Sequence, residues 1–132
     1  MITAKTKISS LSKYYVSKIS DIVVEFCMLN LGKKRNKSFP KIILSYKNEE
    51  DWGCYDPLEH TIYVYVKNIP NVSELSKTII HEWTHSKQNI IGQYGVLYRK
   101  FGYDSHPMEI EAYDSEKIWN RKSLYYLRKK LQ

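Results

Sequence analysis

Residues 78–85 read Thr78-Ile79-Ile80-His81-Glu82-Trp83-Thr84-His85, and the spacing of the two histidines around Glu82 decides how the chain is read. Positions four apart on a helix stand about one turn apart on the same face, so both imidazoles can reach a single ion. Glu82 projects beside them. Two neutral imidazoles are good nitrogen ligands for zinc, and an adjacent carboxylate is placed to take a proton from a water molecule. The other side of the same helix carries Val72, Ile79, Trp83 and Ile90, with Leu75 at the edge of the stripe. The helix is thus expected to pack its back into a core and turn its histidines toward a cleft.

Local signals bound this helix. Asn71 is suited to cap it, Glu74 three residues on completes a capping-box pattern, and Gly92 is a terminator, which together predict a helix over about Val72–Ile91. Upstream, the apolar residues Leu11, Tyr15, Ile19, Ile22, Val23, Phe26 and Leu29 recur at helical spacing between Ser9 and Leu31, with Gly32 as a stop. Three short strands are expected to follow, at Ile42–Tyr46, at Trp52–Tyr55 and at Thr61–Val66. In the last, Ile62, Val64 and Val66 alternate with Thr61, Tyr63 and Tyr65, so one face meets the core and the other is partly wet. Downstream, Val96–Phe101 has room for a short helical turn, and Pro107 is placed as the first residue of a last helix running towards Leu127.

This order gives an α+β fold: an N-terminal helix, a small three-stranded sheet, the histidine helix and a C-terminal helix. At 132 residues the chain is long enough for one domain with a core, and residues 1–132 are read as that single domain. Cys27 and Cys54 have neither the spacing of a zinc ribbon nor the number of a disulfide scaffold, so a reducing compartment is expected. Met1–Lys13 lacks the apolar run of a secretory signal, and no window approaches the roughly 18 apolar residues of a membrane span. The expectation is a cytoplasmic protein. The formal charge of +7 is concentrated in Lys33–Lys37 and Arg121–Lys130. Such segments suit phosphate contacts, and equally a solvated loop and cations that complement a helix C-terminus.

A catalytic zinc site needs a third protein ligand and an open position. Candidates lie in His106-Pro107-Met108-Glu109-Ile110-Glu111-Ala112-Tyr113-Asp114. With H-E-x-x-H at 81–85 and a later glutamate segment, the chain resembles the gluzincins, zinc peptidases whose third ligand is a glutamate on a downstream helix. The resemblance covers mainly Trp52–Trp119. It implies a minimal zincin-like catalytic domain, with zinc held by His81, His85 and Glu109 and with Ala112 at the small position three residues on. It also implies an Asp, Glu or Asn four after the ligand, to support a histidine; Tyr113 stands there instead, with Asp114 next to it. The extended metzincin pattern is absent, because Gln88 and Ile91 occupy its glycine and histidine positions.

Glu111 competes with Glu109, because a glutamate directly before alanine also occurs among the enzymes the chain resembles; the two diverge by about 200° on a helix, so only one can face the ion. His106 is a further candidate ligand, although its place before Pro107 suits a cap equally well. The resemblance further implies peptide hydrolysis with Glu82 as general base, a peptide or protein as substrate, and an oxyanion donor. Tyr103 and His106 are the nearest candidates for it in sequence, with Tyr94 and Tyr98 behind them, and Tyr103 is the expected donor. The strand Thr61–Val66 corresponds by position to the edge strand that aligns substrate in such enzymes. A regulatory or nucleic-acid-associated protein that uses its basic segments is the alternative.

Overall fold

The computed structural model describes residues 1–132. Four helices and three strands follow in the order α1 (Lys13–Asn30), β1 (Lys41–Ser45), β2 (Gly53–Asp56), β3 (Thr61–Tyr65), α2 (Val72–Ser86), α3 (Ile90–Phe101) and α4 (Pro107–Leu131). The architecture is α+β, as the periodicities predict. No helix is long and apolar enough to cross a membrane.

Ser12 caps α1 by accepting the Tyr15 N–H, and the helix closes at Gly32, whose φ of +70° is open to glycine without strain. Val16, Ile19, Val23 and Phe26 form its buried stripe. That stripe meets Ile62 and Val64 from β3, Val66 just after it, and Val72, Leu75, Ile79 and Trp83 from α2 in one apolar core. The outer face of β3 is mixed: Tyr63 and Tyr65 are half-buried, as expected, but Thr61 is buried.

The sheet order is β1-β3-β2, with β1 parallel and β2 antiparallel to β3. The third strand is therefore central, and the expectation that Thr61–Val66 forms an edge is corrected. A β3 buried on one face and paired on both sides has no free ladder to offer; the free edge nearest the histidines belongs to β2.

Asn71 caps α2 through the Glu74 N–H at 2.9 Å, while the Glu74 carboxylate pairs with Lys77 at 3.3 Å. The helix ends at Ser86, five residues before the predicted Ile91. Its last turn tightens, with Lys87 N–H donating to the Thr84 carbonyl and Gln88 N–H to the His85 carbonyl, both at 3.1 Å. Asn89 then leaves helical geometry at φ −87° and ψ 68°. Gly92 terminates nothing; it lies inside α3, a full helix where only a turn over Val96–Phe101 is expected from sequence. The Gln88 side chain, drawn into bonds with three other residues, accounts for the break.

Consequently α3 turns back over the histidine face. Had α2 continued, Tyr94 would lie about 13 Å farther along the axis than His85. Pro107 opens α4 as expected, and the helix extends to Leu131, packing along α2 through Ser76–Ser123 and Ser73–Asn120 hydrogen bonds.

Candidate metal centre

His81 and His85 emerge from one face of α2 with ring centroids 4.9 Å apart, and the antiparallel course of α4 brings Glu109 across them. Residues 81, 85 and 109 are 8%, 6% and 5% exposed, so all three are withdrawn from bulk water. His81 Nε2 lies 3.0 Å from Glu109 Oε1, His85 Nε2 lies 3.1 Å from the same oxygen, and the two nitrogens are 3.2 Å apart. A tetrahedral ion with bonds of about 2.0–2.1 Å would separate its ligand atoms by about 3.3–3.4 Å. The triangle therefore matches one face of such a coordination shell.

The surrounding hydrogen bonds fix what the three atoms can be. His81 Nδ1 lies 2.7 Å from Glu116 Oε2, and an ionised carboxylate only accepts, so Nδ1 carries the proton. At His85, Nδ1 lies 2.6 Å from Gln88 Oε1. The amide orientation of Gln88 is set by its NH2 group, which donates to the Met108 carbonyl at 3.0 Å and to Glu111 Oε1 at 2.6 Å. Its oxygen thus faces His85, whose Nδ1 also carries the proton. Both neutral imidazoles then present Nε2 lone pairs to each other and to Glu109 Oε1. Three acceptors at 3.0–3.2 Å call for a cation at their centre, and the cluster could hold a metal ion.

Protons are the competing cations. Burial disfavours an imidazolium at position 81, but hydrogen bonds to Glu109 and Glu116 outweigh it and raise the His81 pKa to about 9. His85 is raised in the same way against its burial, chiefly by Glu109. Glu109 responds oppositely: burial alone would raise it, yet the bonds from His81, His85 and Tyr94 hold it well below the usual carboxylate range.

Glu82 stands apart from this network. It is 9% exposed, its carboxylate has no hydrogen-bond partner, and burial raises its pKa above the ordinary value. Its neighbour across the cleft is Gly53, at the start of β2. A Cβ at that position would lie 2.8 Å from Thr78 Cγ2, 3.1 Å from the Tyr63 carbonyl oxygen and 3.2 Å from Glu82 Cγ. Only glycine lets β2 pass this close to α2.

Two cavities of about 380 and 290 Å³ flank the triangle and share Asp51, Gly53, His81, Glu82 and Tyr103. They form one cleft along α2. The lobe over the N-terminal half of α2 reaches Glu50, Glu74, Lys77 and Glu116, and the lobe over its C-terminal end reaches Tyr55, Ile90, Tyr94 and Glu109.

The structure brings His81, His85 and Glu109 into one cluster and sets Glu82 in the same cleft. Glu111 faces away and is tied to Gln88, two bonds removed from the triangle. His106 is corrected from candidate ligand to cap: Nδ1 accepts the Met108 N–H at 3.1 Å, and Nε2 lies 3.0 Å from the Tyr94 carbonyl. Both of its nitrogens are in use. Tyr103 lines both lobes and its hydroxyl lies 3.0 Å from that of Tyr113. Tyr94 donates its hydroxyl proton to Glu109 Oε2, so it orients the carboxylate. Tyr98 is half-exposed and lines neither lobe.

The support expected for a histidine at Tyr113 or Asp114 comes from Glu116 instead. Tyr113 packs its ring edge-on against His81, 4.6 Å between centroids. Glu116 was legible as the carboxylate seven residues, about two turns, beyond Glu109 on one face of α4. Gln88, three residues after His85, had a similar signal. Gly53 had none in the sequence. No protein-family model, curated protein or solved structure matches the chain.

Proposed function

We propose that the chain is a zinc-dependent peptidase of gluzincin type, built on a minimal zincin-like catalytic domain. The observation that carries this is the triangle of His81 Nε2, His85 Nε2 and Glu109 Oε1 set beside an unpaired, buried Glu82 in an open cleft. Two nitrogens and one carboxylate oxygen are a donor set suited to zinc. When bound, zinc supplies Lewis acidity, acidifying water and polarising a carbonyl.

The chain's own residues do the remaining work. Glu82, with its pKa raised by burial, takes the proton of the attacking water at a carboxylate oxygen and passes it to the leaving amine. Glu116 and Gln88 hold the imidazoles in the tautomer that aims Nε2 inward. Tyr94 holds Glu109 in one rotamer through Oε2. Tyr103, at the junction of both lobes, donates its hydroxyl to the carbonyl oxygen as negative charge develops. The edge of β2 lies beside Glu82 and presents the free backbone groups that an extended peptide would pair with.

Stoichiometric zinc in purified protein, together with peptide cleavage that wild type performs and Glu82→Gln does not, tests the assignment. Zinc retained by both with no Glu82-dependent cleavage of any peptide would overturn it. The competing proposal is a nucleic-acid-associated protein, favoured by the exposed cations Lys33, Arg35 and Lys37 and by Arg121, Lys122 and Arg128 on α4. Salt-sensitive DNA or RNA binding that survives Glu82→Gln would favour it. Against it, Lys130 is paired with Glu25, and the last turn of α4 places Arg128, Lys129 and Lys130 where cations complement the helix dipole.

A further inference from the structure

The two lobes of the cleft differ in chemistry. On a chain with a formal charge of +7, the larger lobe is lined by Glu50, Asp51, Glu74 and Glu116 as well as Glu82, against the single cation Lys77. Lys77 is already paired with Glu74 at 3.3 Å, and Glu116 with His81 at 2.7 Å. Glu50 and Asp51 have no ion-pair partner. Their loop is nonetheless held: Asn68 Nδ2 donates to the Glu49 carbonyl at 2.6 Å and to the Asp51 carbonyl at 2.7 Å. The unpartnered carboxylate of Glu82, nine-tenths buried, opens into the same lobe. The smaller lobe shares Asp51, Glu82 and Tyr103 and holds Glu109, whose carboxylate is already engaged by His81, His85 and Tyr94; what it adds is the apolar and aromatic wall of Tyr55, Ile90 and Tyr94.

Because His81 and Glu82 line both lobes, a peptide lying along the cleft places neighbouring side chains in different environments. An extended chain advances about 3.3 Å per residue, so the lobes are reached by residues on either side of the bond presented to Glu82. We propose that the cleft selects polypeptides carrying lysine or arginine on one side of the scissile bond and an aliphatic or aromatic residue on the other, within about three residues. This inference rests on the peptidase assignment above and goes beyond it in naming the substrate class. A fixed acidic wall favours a cationic side chain and disfavours an acidic one. The tyrosine and isoleucine wall removes apolar surface from water. No residue of the basic segments Lys33–Lys37 and Arg121–Lys130 lines either lobe, so the acidic wall is not offset by them.

Two measurements test the proposal together. Zinc-loaded wild type is incubated with a proteome-derived peptide mixture, and cleaved bonds are identified by mass spectrometry; lysine or arginine is expected to be enriched on one side and apolar residues on the other. Separately, two fluorescent peptides differing only by lysine or leucine are titrated against Glu82→Gln, with zinc and without. The lysine peptide should bind about tenfold more tightly at low salt, and the difference should collapse near 0.5 M salt. In the double substitution Glu50→Lys, Asp51→Lys, on exposed loop positions, the lysine-to-leucine affinity ratio should fall at least about tenfold, with zinc content and circular dichroism reporting an intact fold. Cleavage without basic enrichment, or equal binding of the two peptides, overturns the proposal while leaving the peptidase assignment in place. Lysine-selective binding with no Glu82-dependent cleavage does the reverse, overturning the assignment and keeping the preference of the cleft.

Discussion

Glu116 Oε2 accepts the Nδ1 proton of His81 at 2.7 Å, from a position two turns beyond Glu109 on the same face of α4. One helix thereby supplies both a member of the triangle and the group that orients another member. Replacing Glu116 by glutamine keeps a hydrogen bond possible but removes the charge. Zinc affinity should fall by about 10- to 100-fold, measured by competition with a chromophoric chelator. An unchanged affinity would show that the imidazole of His81 is oriented without it.

Glu109→Ala removes the oxygen that both Nε2 atoms face and leaves the Tyr94 hydroxyl without its acceptor. Stoichiometric zinc should be lost. Glu111→Ala cuts only the contact to Gln88, two bonds from the triangle, and should lower affinity by no more than about tenfold. Metal analysis of the two purified variants side by side distinguishes them; equal losses would contradict the placement of Glu109.

Glu82→Gln should retain zinc and lose about 10²- to 10⁴-fold in kcat, the span typical of a removed general base. Because burial raises the pKa of Glu82, the acidic limb of the kcat/KM profile in wild type should lie above the ordinary carboxylate range near 4.5. A limb at or below that value would remove Glu82 as the group that must be ionised.

Metal-free protein should show a defined stability window. His81 is raised from 6.5 to about 9 on folding, so its contribution is complete below about 6.5 and disappears as pH climbs through about 9. Glu109 is lowered, so its contribution is present above its ordinary value near 4.5 and disappears as acid reaches its depressed one. Thermal or urea unfolding should therefore be hardest between about pH 4.5 and 6.5. Zinc must displace the His81 proton, so loading near pH 7.5 should release about one proton or more, visible as a buffer-dependent calorimetric heat.

Gly53→Ala places a methyl group 3.1 Å from the Tyr63 carbonyl and 3.2 Å from Glu82 Cγ, with Thr78 Cγ2 closer still. Two of the three obstacles belong to the helix and one to the paired strand, so β2 must shift. A loss of about 1–3 kcal/mol in stability is expected, together with a fall in peptide cleavage larger than any fall in zinc content. Denaturant unfolding and metal analysis on the same preparation check both.

Periodicity sufficed for α1 and β3, whose apolar spacing records the faces they bury; β1 and β2, which bury no residue fully, were legible from strand-favouring residues between turns, and the start of α4 from Pro107. The paired histidines and Glu109 were legible because their chemistry depends on intervals of one helix turn or on a known kind of downstream helix. Two features were not. The end of α2 at Ser86 is imposed by a side chain, Gln88, whose partners Met108 and Glu111 come from α4, so a window around residue 88 contains no sign of it. The central position of β3 is a matter of pairing order, and alternation along Thr61–Val66 is the same in a central and an edge strand. Glu116 lay between these cases, since its spacing was visible but its partner became evident only when α4 was laid against α2.

The break after α2 leaves α3 without a single buried residue. Among its ties to the rest of the molecule are the Tyr94 hydroxyl on Glu109 and the Tyr94 carbonyl contacting His106. Segments with so little buried surface open at low free-energy cost, and their amides exchange with solvent deuterium long before those of the core. Here one end of that tether is a member of the triangle. Whatever fixes Glu109 therefore also slows exchange along Ile90–Phe101, and the protection of α3 becomes a reporter, read at backbone amides, of whether the triangle is filled.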